Sequence, residues 1–174
     1  MIKKEKYSAA ILVIGDEILS GRTQDTNSNY IAKELEMMGI TTSEIRVIPD
    51  EKSIIIYSVN ELRNKNNYLF TTGGIGPTHD DITADSIAEA FGVDLEVNSE
   101  AYDILKKYYK AIGSEFNEVR QRMARIPKGA ILIENSISAA PGFKIDNVFV
   151  FAGCLLYTSP SPRDQRGSRL AGGG

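Results

Sequence analysis

Tryptophan is absent from this 174-residue chain, and histidine and cysteine occur once each, as His79 and Cys154. A single cysteine excludes an internal disulfide and fits a reducing compartment, so a cytoplasmic location is expected. The same scarcity excludes a His- or Cys-rich zinc site, and any metal must be a hard ion held by oxygens. No run of about 18 apolar residues is present, so no membrane span is expected. The basic start at Lys3, Lys4 and Lys6 turns acidic at Asp16 and Glu17, after an apolar run too short for a signal peptide. A net charge of −3 lacks the basic face that a general nucleic-acid binder needs. No base and orienting acid are placed for a serine-triad or cysteine-protease mechanism.

What the chain has is strand alternating with helix. Ala9 to Ile14 is an unbroken apolar run ending at Gly15, as in a strand buried on both faces. Residues 27 to 38 place Ile31, Leu35 and Met38 on one helical face, with Gly39 as the stop. Ile45 to Ile48 reads as a second strand ending at Pro49, and Asp50 is placed to cap a helix bearing Ile54, Ile55, Val59 and Leu62. Residues 68 to 72 form a third strand, with a helix over 83 to 91 stopped by Gly92. Ser99 is placed to cap a helix through about Ile112, and Glu115 to Met123 reads as another. Strands follow at Ala130 to Ile133, Gly142 to Ile145 and Asn147 to Ala152, with Asp146-Asn147 as a tight turn. The repeated alternation predicts an α/β fold with a mostly parallel sheet and helices on both faces, whose ligands sit at the carboxyl ends of the strands.

After Gly153 the composition shifts to Ser-Pro-Ser-Pro, arginines and a closing Gly-Gly-Gly. Residues 1–153 read as one domain. Residues 154–174 read as disordered and as non-native sequence translated from an adaptor, with a native flexible tail as the alternative.

The most informative segment is Thr71-Thr72-Gly73-Gly74-Ile75-Gly76-Pro77-Thr78-His79-Asp80-Asp81-Ile82-Thr83. Gly73, Gly74 and Gly76 let backbone N–H groups approach a ligand, and the helix behind them adds donors and a positive dipole end. A phosphate is the natural guest. Asp80 and Asp81 would repel it unless a cation lay between, so Asp81 is expected to hold a divalent metal, with Asp80 assisting through water. Capping by Asp80, Asp81 or Thr83 is the plainer reading of those residues. His79 could contact phosphate, relay a proton, or be an incidental loop residue.

The first loop, from Gly15, Asp16 and Glu17 through Ser20 and Gly21 to Asp25, is long and polar enough to wrap a ligand; as a plain connection it would have Asp25 or Asn27 capping the next helix. Arg120, Arg122 and Arg125 could recruit an anion, or form a solvated face or subunit contact.

Gly15 to Gly21 with Asp25-Thr26-Asn27, Ile48-Pro49-Asp50, and Thr71 to Pro77 with Asp81 resemble the MoaB/Mog, or molybdopterin-binding, domain. The Gly-Asp-Glu opening, His79-Asp80-Asp81 and Ser138-Ala139-Ala140-Pro141-Gly142-Phe143 resemble its CinA-type (competence/damage-inducible) branch. The resemblance covers residues 8 to 153. It implies a three-layer α/β/α fold that binds a phosphorylated pterin, such as molybdopterin, or a nucleotide, and a homo-oligomer in the intact family member.

In the adenylyltransferase branch, which joins AMP to molybdopterin with magnesium, two essential aspartates match Asp50 and Asp81. In the CinA-type branch the fold is linked to hydrolysis of nucleotide pyrophosphates such as ADP-ribose, with magnesium, manganese or cobalt. The resemblance thus implies catalytic Asp50 and Asp81, with Asp81 placing the metal beside Asp50 or Asp16. Gly73, Gly74 and Gly76 would cradle phosphate, and Thr72, Thr78 and Ser138 would donate hydrogen bonds. Adenylylation of molybdopterin is the second catalytic option, and a module that holds molybdopterin without turnover is the non-enzymatic alternative. The separate deamidase domain of full-length CinA proteins has no counterpart here.

Overall fold

A computed structural model describes residues 7–135 and 140–152. The apolar run near the start forms β1 (Ser8–Ile14), which lies between β2 (Thr41–Ile48) and β3 (Tyr68–Thr72), parallel to both. Side chains alternate across a strand, so β1 needs apolar cover on both sides. Ala10, Leu12 and Ile14 enter one core, and Ala9, Ile11 and Val13 enter the other.

The larger core is closed by α3 (Lys52–Lys65), α4 (Thr83–Phe91) and α5 (Ser99–Ala111). Ile55, Val59 and Leu62 lie at successive turns of α3 and are fully buried. Each such aliphatic side chain is worth roughly 1.5–3 kcal/mol of burial. The smaller core is closed by α2 (Asn27–Met37), which inserts Ile31 and Leu35 against β1. A short α1 (Asp16–Leu19) follows β1 directly. The chain is therefore an α/β fold with helices on both faces of a mostly parallel sheet.

The sheet has six strands in the order β2-β1-β3-β8-β7-β6. Here β8 (Val148–Phe151) runs parallel to β3, whereas β7 (Gly142–Ile145) and β6 (Ile131–Ile133) complete an antiparallel meander. Asp146 opens the β7–β8 turn at φ 49.

Several boundaries differ from the sequence expectation. β2 begins at Thr41, because parallel pairing with β1 extends it through a polar segment that lacks a strong apolar pattern. Asn98, not Ser99, caps α5: its side chain accepts the Ala101 N–H. The helix expected over Glu115 to Met123 shrinks to α6 (Glu118–Gln121) and a 3₁₀ turn, Arg122–Ala124. Asn117 caps α6 by accepting the Arg120 N–H, which fixes the later start. Two three-residue strands, β4 (Leu95–Val97) and β5 (Arg125–Pro127), form a separate antiparallel ribbon that the sequence pattern did not reveal. No helix among the described residues is long and apolar enough to cross a membrane.

Candidate functional site

The loops after β1, β2 and β3 meet at the carboxyl edge of the sheet. The Gly15 N–H donates to the Ile48 carbonyl at 3.0 Å, closing the first loop onto the end of β2. One residue on, the Asp16 N–H donates to Asp50 Oδ2 at 2.9 Å. Asp50 was expected to cap α3, but Glu51 holds the cap position and no side chain caps that helix. The Asp50 carboxylate is committed to Asp16 across loops, a tertiary contact with no local sequence signal.

The glycine loop is fixed just as tightly. Gly73 sits at φ 100, and a Cβ there would collide with the Ile14 carbonyl oxygen. At Gly74, φ 64, an added Cβ would strike Thr83 Oγ1 and stand 3.5 Å from Asp50 Oδ1. The loop thus passes β1 and the Thr83 hydroxyl at distances that only glycine permits. A Cβ at Gly76 would lie 2.7 Å from Asp81 Oδ2. That oxygen accepts the Thr78 N–H at 2.8 Å and the Thr78 hydroxyl at 2.6 Å.

None of Asp80, Asp81 or Thr83 caps α4: Ile82 occupies the cap position, and no side chain accepts there. The Thr83 N–H donates to the Gly74 carbonyl at 3.0 Å, tying the helix start to the loop. Thr83 is fully buried, and its hydroxyl has no hydrogen-bond partner among the described residues. A buried hydroxyl without a partner is costly. This one is packed under Gly74, where an added Cβ would come within 2.3 Å of it. Weighed in the sequence only as a cap, Thr83 instead locks the glycine loop to the start of α4 through its N–H.

The electrostatics of the edge are acidic. Burial pushes the Asp50 carboxyl above its ordinary value, the Asp16 N–H pulls it back, and the Glu17, Asp16 and Asp81 carboxylates push it further up. Glu17 folds back so that its carboxylate lies 2.7 Å from where a Gly15 Cβ would stand. Beside the loop a narrow cleft is lined by Gly76, Asp81, Asp85, Arg122 and Arg125. Arg125 pairs with Asp85 at 2.6 Å, whereas Arg120 lies elsewhere, stacked 4.5 Å over Tyr109.

Other expected site residues serve the loops themselves. Asp25 Oδ1 accepts the Asn27 and Ser28 N–H groups at 3.0 and 3.1 Å, so it supports the start of α2. Ser20 donates to the Glu17 carbonyl and accepts from Arg22, and Gly21 turns the chain at φ 72. His79 Nε2 lies 3.0 Å from Asp80 Oδ1, with both side chains largely exposed. Thr72 is buried at the end of β3. Ser138, Gly153 and residues 154–174 lie outside the described residues.

No group of three or more His, Cys, Asp or Glu side chains is arranged to hold a metal among the described residues. The donor set still suits a hard cation: carboxylate oxygens of Asp50 and Asp81 stand beside Gly74 and Gly76 of the glycine loop. Magnesium is commonly held by one or two carboxylates together with substrate phosphates.

A glycine loop running into an uncapped helix at the carboxyl edge of a mostly parallel sheet defines an α/β domain whose candidate site lies where such sheets take their ligands. Residues 10–161 match the family described as "Probable molybdopterin binding domain", and the chain belongs to that family. A "CinA-like protein" from Citrifermentans bemidjiense is 40% identical over 136 residues, 78% of this chain and 33% of the relative. A CinA crystal structure from Thermoplasma acidophilum, described as of unknown function, has a TM-score of 0.78 at 30% identity, covering 85% of this chain and 89% of that one. Within the family, the chain falls in the CinA-type branch.

A Sulfurisphaera tokodaii protein is 39% identical over 157 residues, 90% of this chain and 58% of its own length. The chain thus spans little more than half of that relative. The tungsten cofactor synthesizing protein MoaB from Pyrococcus furiosus shares the fold, with a TM-score of 0.55 at 22% identity over 86% of this chain and 84% of that one.

Proposed function

We propose that this CinA-type domain binds the phosphates of a pterin or nucleotide in the glycine loop and hydrolyses a nucleotide pyrophosphate of the ADP-ribose kind. The observation that carries the reading is the glycine loop, turned at Gly73 and Gly74, running into the uncapped start of α4 with Asp50 beside Gly74 and Asp81 beside Gly76. A phosphate oxygen at the loop gains backbone N–H groups of the loop and the positive end of the helix dipole. Fixed donors of this sort favour the added charge of a phosphoryl-transfer transition state over the ground state. Asp50 and Asp81 would hold a divalent cation, which would supply charge neutralisation on the pyrophosphate. Such chemistry belongs to a cytoplasmic nucleotide pool.

The test is release of AMP from ADP-ribose by the purified chain with magnesium, manganese or cobalt, beside Asp81→Asn. Metal-dependent turnover that falls at least tenfold in the variant is the expected result. A folded wild type with no turnover under any of the metals would remove the hydrolase reading.

Binding of molybdopterin without turnover is the second reading. It is favoured by Asp81 Oδ2, which already braces Thr78, and by the outward pairing of Asp80 with His79. A molybdopterin titration with micromolar saturation would support it.

A further inference from the structure

Arginines stand at positions 120, 122 and 125, and two of the three are spent within the fold. Arg120 donates to the Glu115 carbonyl and stacks over Tyr109. Arg125 of β5 pairs with Asp85 in the first turn of α4, which ties the β4–β5 ribbon to that helix. Arg122 differs. It is half-buried, yet its guanidinium has neither an ion partner nor a hydrogen bond among the described residues. A guanidinium carries five donors and keeps its charge, so leaving it unanswered away from water is costly.

The backbone around Arg122 is pinned. Met123 and Ala124, the rest of its 3₁₀ turn, are buried in the larger core, and the Ala124 carbonyl accepts the Asn98 N–H at 2.9 Å. On the other side, Gln121 Nε2 donates to the Phe116 carbonyl at 3.0 Å. Arg122 thereby lines the same cleft as Gly76 and Asp81. Leu95, Met123, Ile126 and Phe143 give that cleft an apolar lining, in which a charged contact is strengthened. Its volume is only about 20 Å³. A single water needs about 10–15 Å³ of such space, so a ring is excluded and one oxygen of a tetrahedral anion fits.

We propose that Arg122 is a specificity-determining residue of the glycine-loop site, and that it receives the second phosphate of a diphosphate ligand. The inference rests on the phosphate reading of that loop given above. One phosphate on the loop leaves the next at the mouth of the cleft beside Gly76, where a guanidinium can meet it with two parallel N–H···O bonds. A monophosphate stops at the loop and gains nothing from Arg122. Asp85 does not compete for this arginine, because Arg125 already pairs with it. The charge balance agrees: Asp16, Glu17 and Asp81 crowd Asp50 with negative charge, so a polyanion at this edge needs a fixed cation of its own. Nucleoside diphosphates and their esters are therefore preferred over the corresponding monophosphates.

The experiment is calorimetric titration of the 174-residue chain with ADP and with AMP in magnesium, for wild type, Arg122→Gln, Arg122→Lys and Arg120→Gln. Circular-dichroism melts establish that each variant folds. Wild type is expected to bind ADP more tightly than AMP. Arg122→Gln should raise the ADP dissociation constant about tenfold or more, as loss of a charge-assisted bond does, and the AMP constant by less than about threefold. Arg122→Lys keeps the charge without the planar fork and should fall between; it carries the same test if Arg122→Gln does not fold. Arg120→Gln should leave both constants unchanged. A general disturbance of the fold weakens both ligands alike, so the ratio of the two constants is the deciding readout. If both ligands bind and that ratio is the same in wild type and the Arg122 variants, this proposal is overturned and the phosphate reading stands. Binding of neither ligand to wild type overturns both.

Discussion

Asp50 shows how much one side chain's neighbourhood decides. Pro49-Asp50 ahead of a helical run suggests a capping aspartate, yet the carboxylate accepts the Asp16 N–H and leaves the cap position to Glu51. Burial first, and then the acidic neighbours, raise Asp50 above its ordinary 3.8. Between that value and the raised one, the folded chain retains a proton that the unfolded chain has released. Stability therefore falls as pH rises through the window. Asp50→Asn keeps an acceptor for Asp16 and removes the charge. In thermal melts without ligand it should exceed wild type at pH 7, and the advantage should vanish below about pH 3.8. An advantage that persisted unchanged at low pH would mean that packing, not charge, is responsible.

Among the elements, the legible ones carry a strong period or a stop. β1 could be read from its unbroken apolar run, and α4 from its apolar residues and from Gly92, which ends it at φ 63. The meeting of three loops at one sheet edge followed from the strand–helix alternation alone. β4 and β5 were hidden, since three residues hold no measurable period and each strand exists only through the other. The role of Thr83 was hidden for a related reason: burial without a partner is a property of the assembled loop, not of the local sequence.

Edge strand β2 is tied to α3 by a small ionic network. Arg46 reaches Glu61 at 2.7 Å, and Lys65 reaches the same carboxylate at 2.5 Å. Arg46 first and Lys65 second pull Glu61 down to about 2 from 4.5. A depressed carboxylate stabilises the fold above its unfolded value, and the benefit is lost as pH falls through the folded one. The melting temperature of wild type should thus drop between pH 4.5 and 2 more steeply than that of Glu61→Gln. Parallel curves would show that the network adds nothing.

At the scale of the whole molecule, β1 is the axis. It is paired on both edges, and Ala9 through Ile14 are buried on both faces, whereas β6 is a three-residue edge strand with one side unpaired among the described residues. Native-state hydrogen exchange should find the amides of Ile11 and Leu12 among the last to exchange and those of β6 among the first. Equal protection of the two strands would contradict this hierarchy. The pairing of β3 with β8 joins Leu69 to Val148, far apart in the chain, while β1 finds β2 and β3 through short helical crossovers. Contacts distant in sequence are the slow ones to form. The loops that meet at the site all lie between Gly15 and Thr83. On a ribosome, then, the β1, β2 and β3 framework and its phosphate cradle can emerge and assemble while β6, β7 and β8 are still being synthesised.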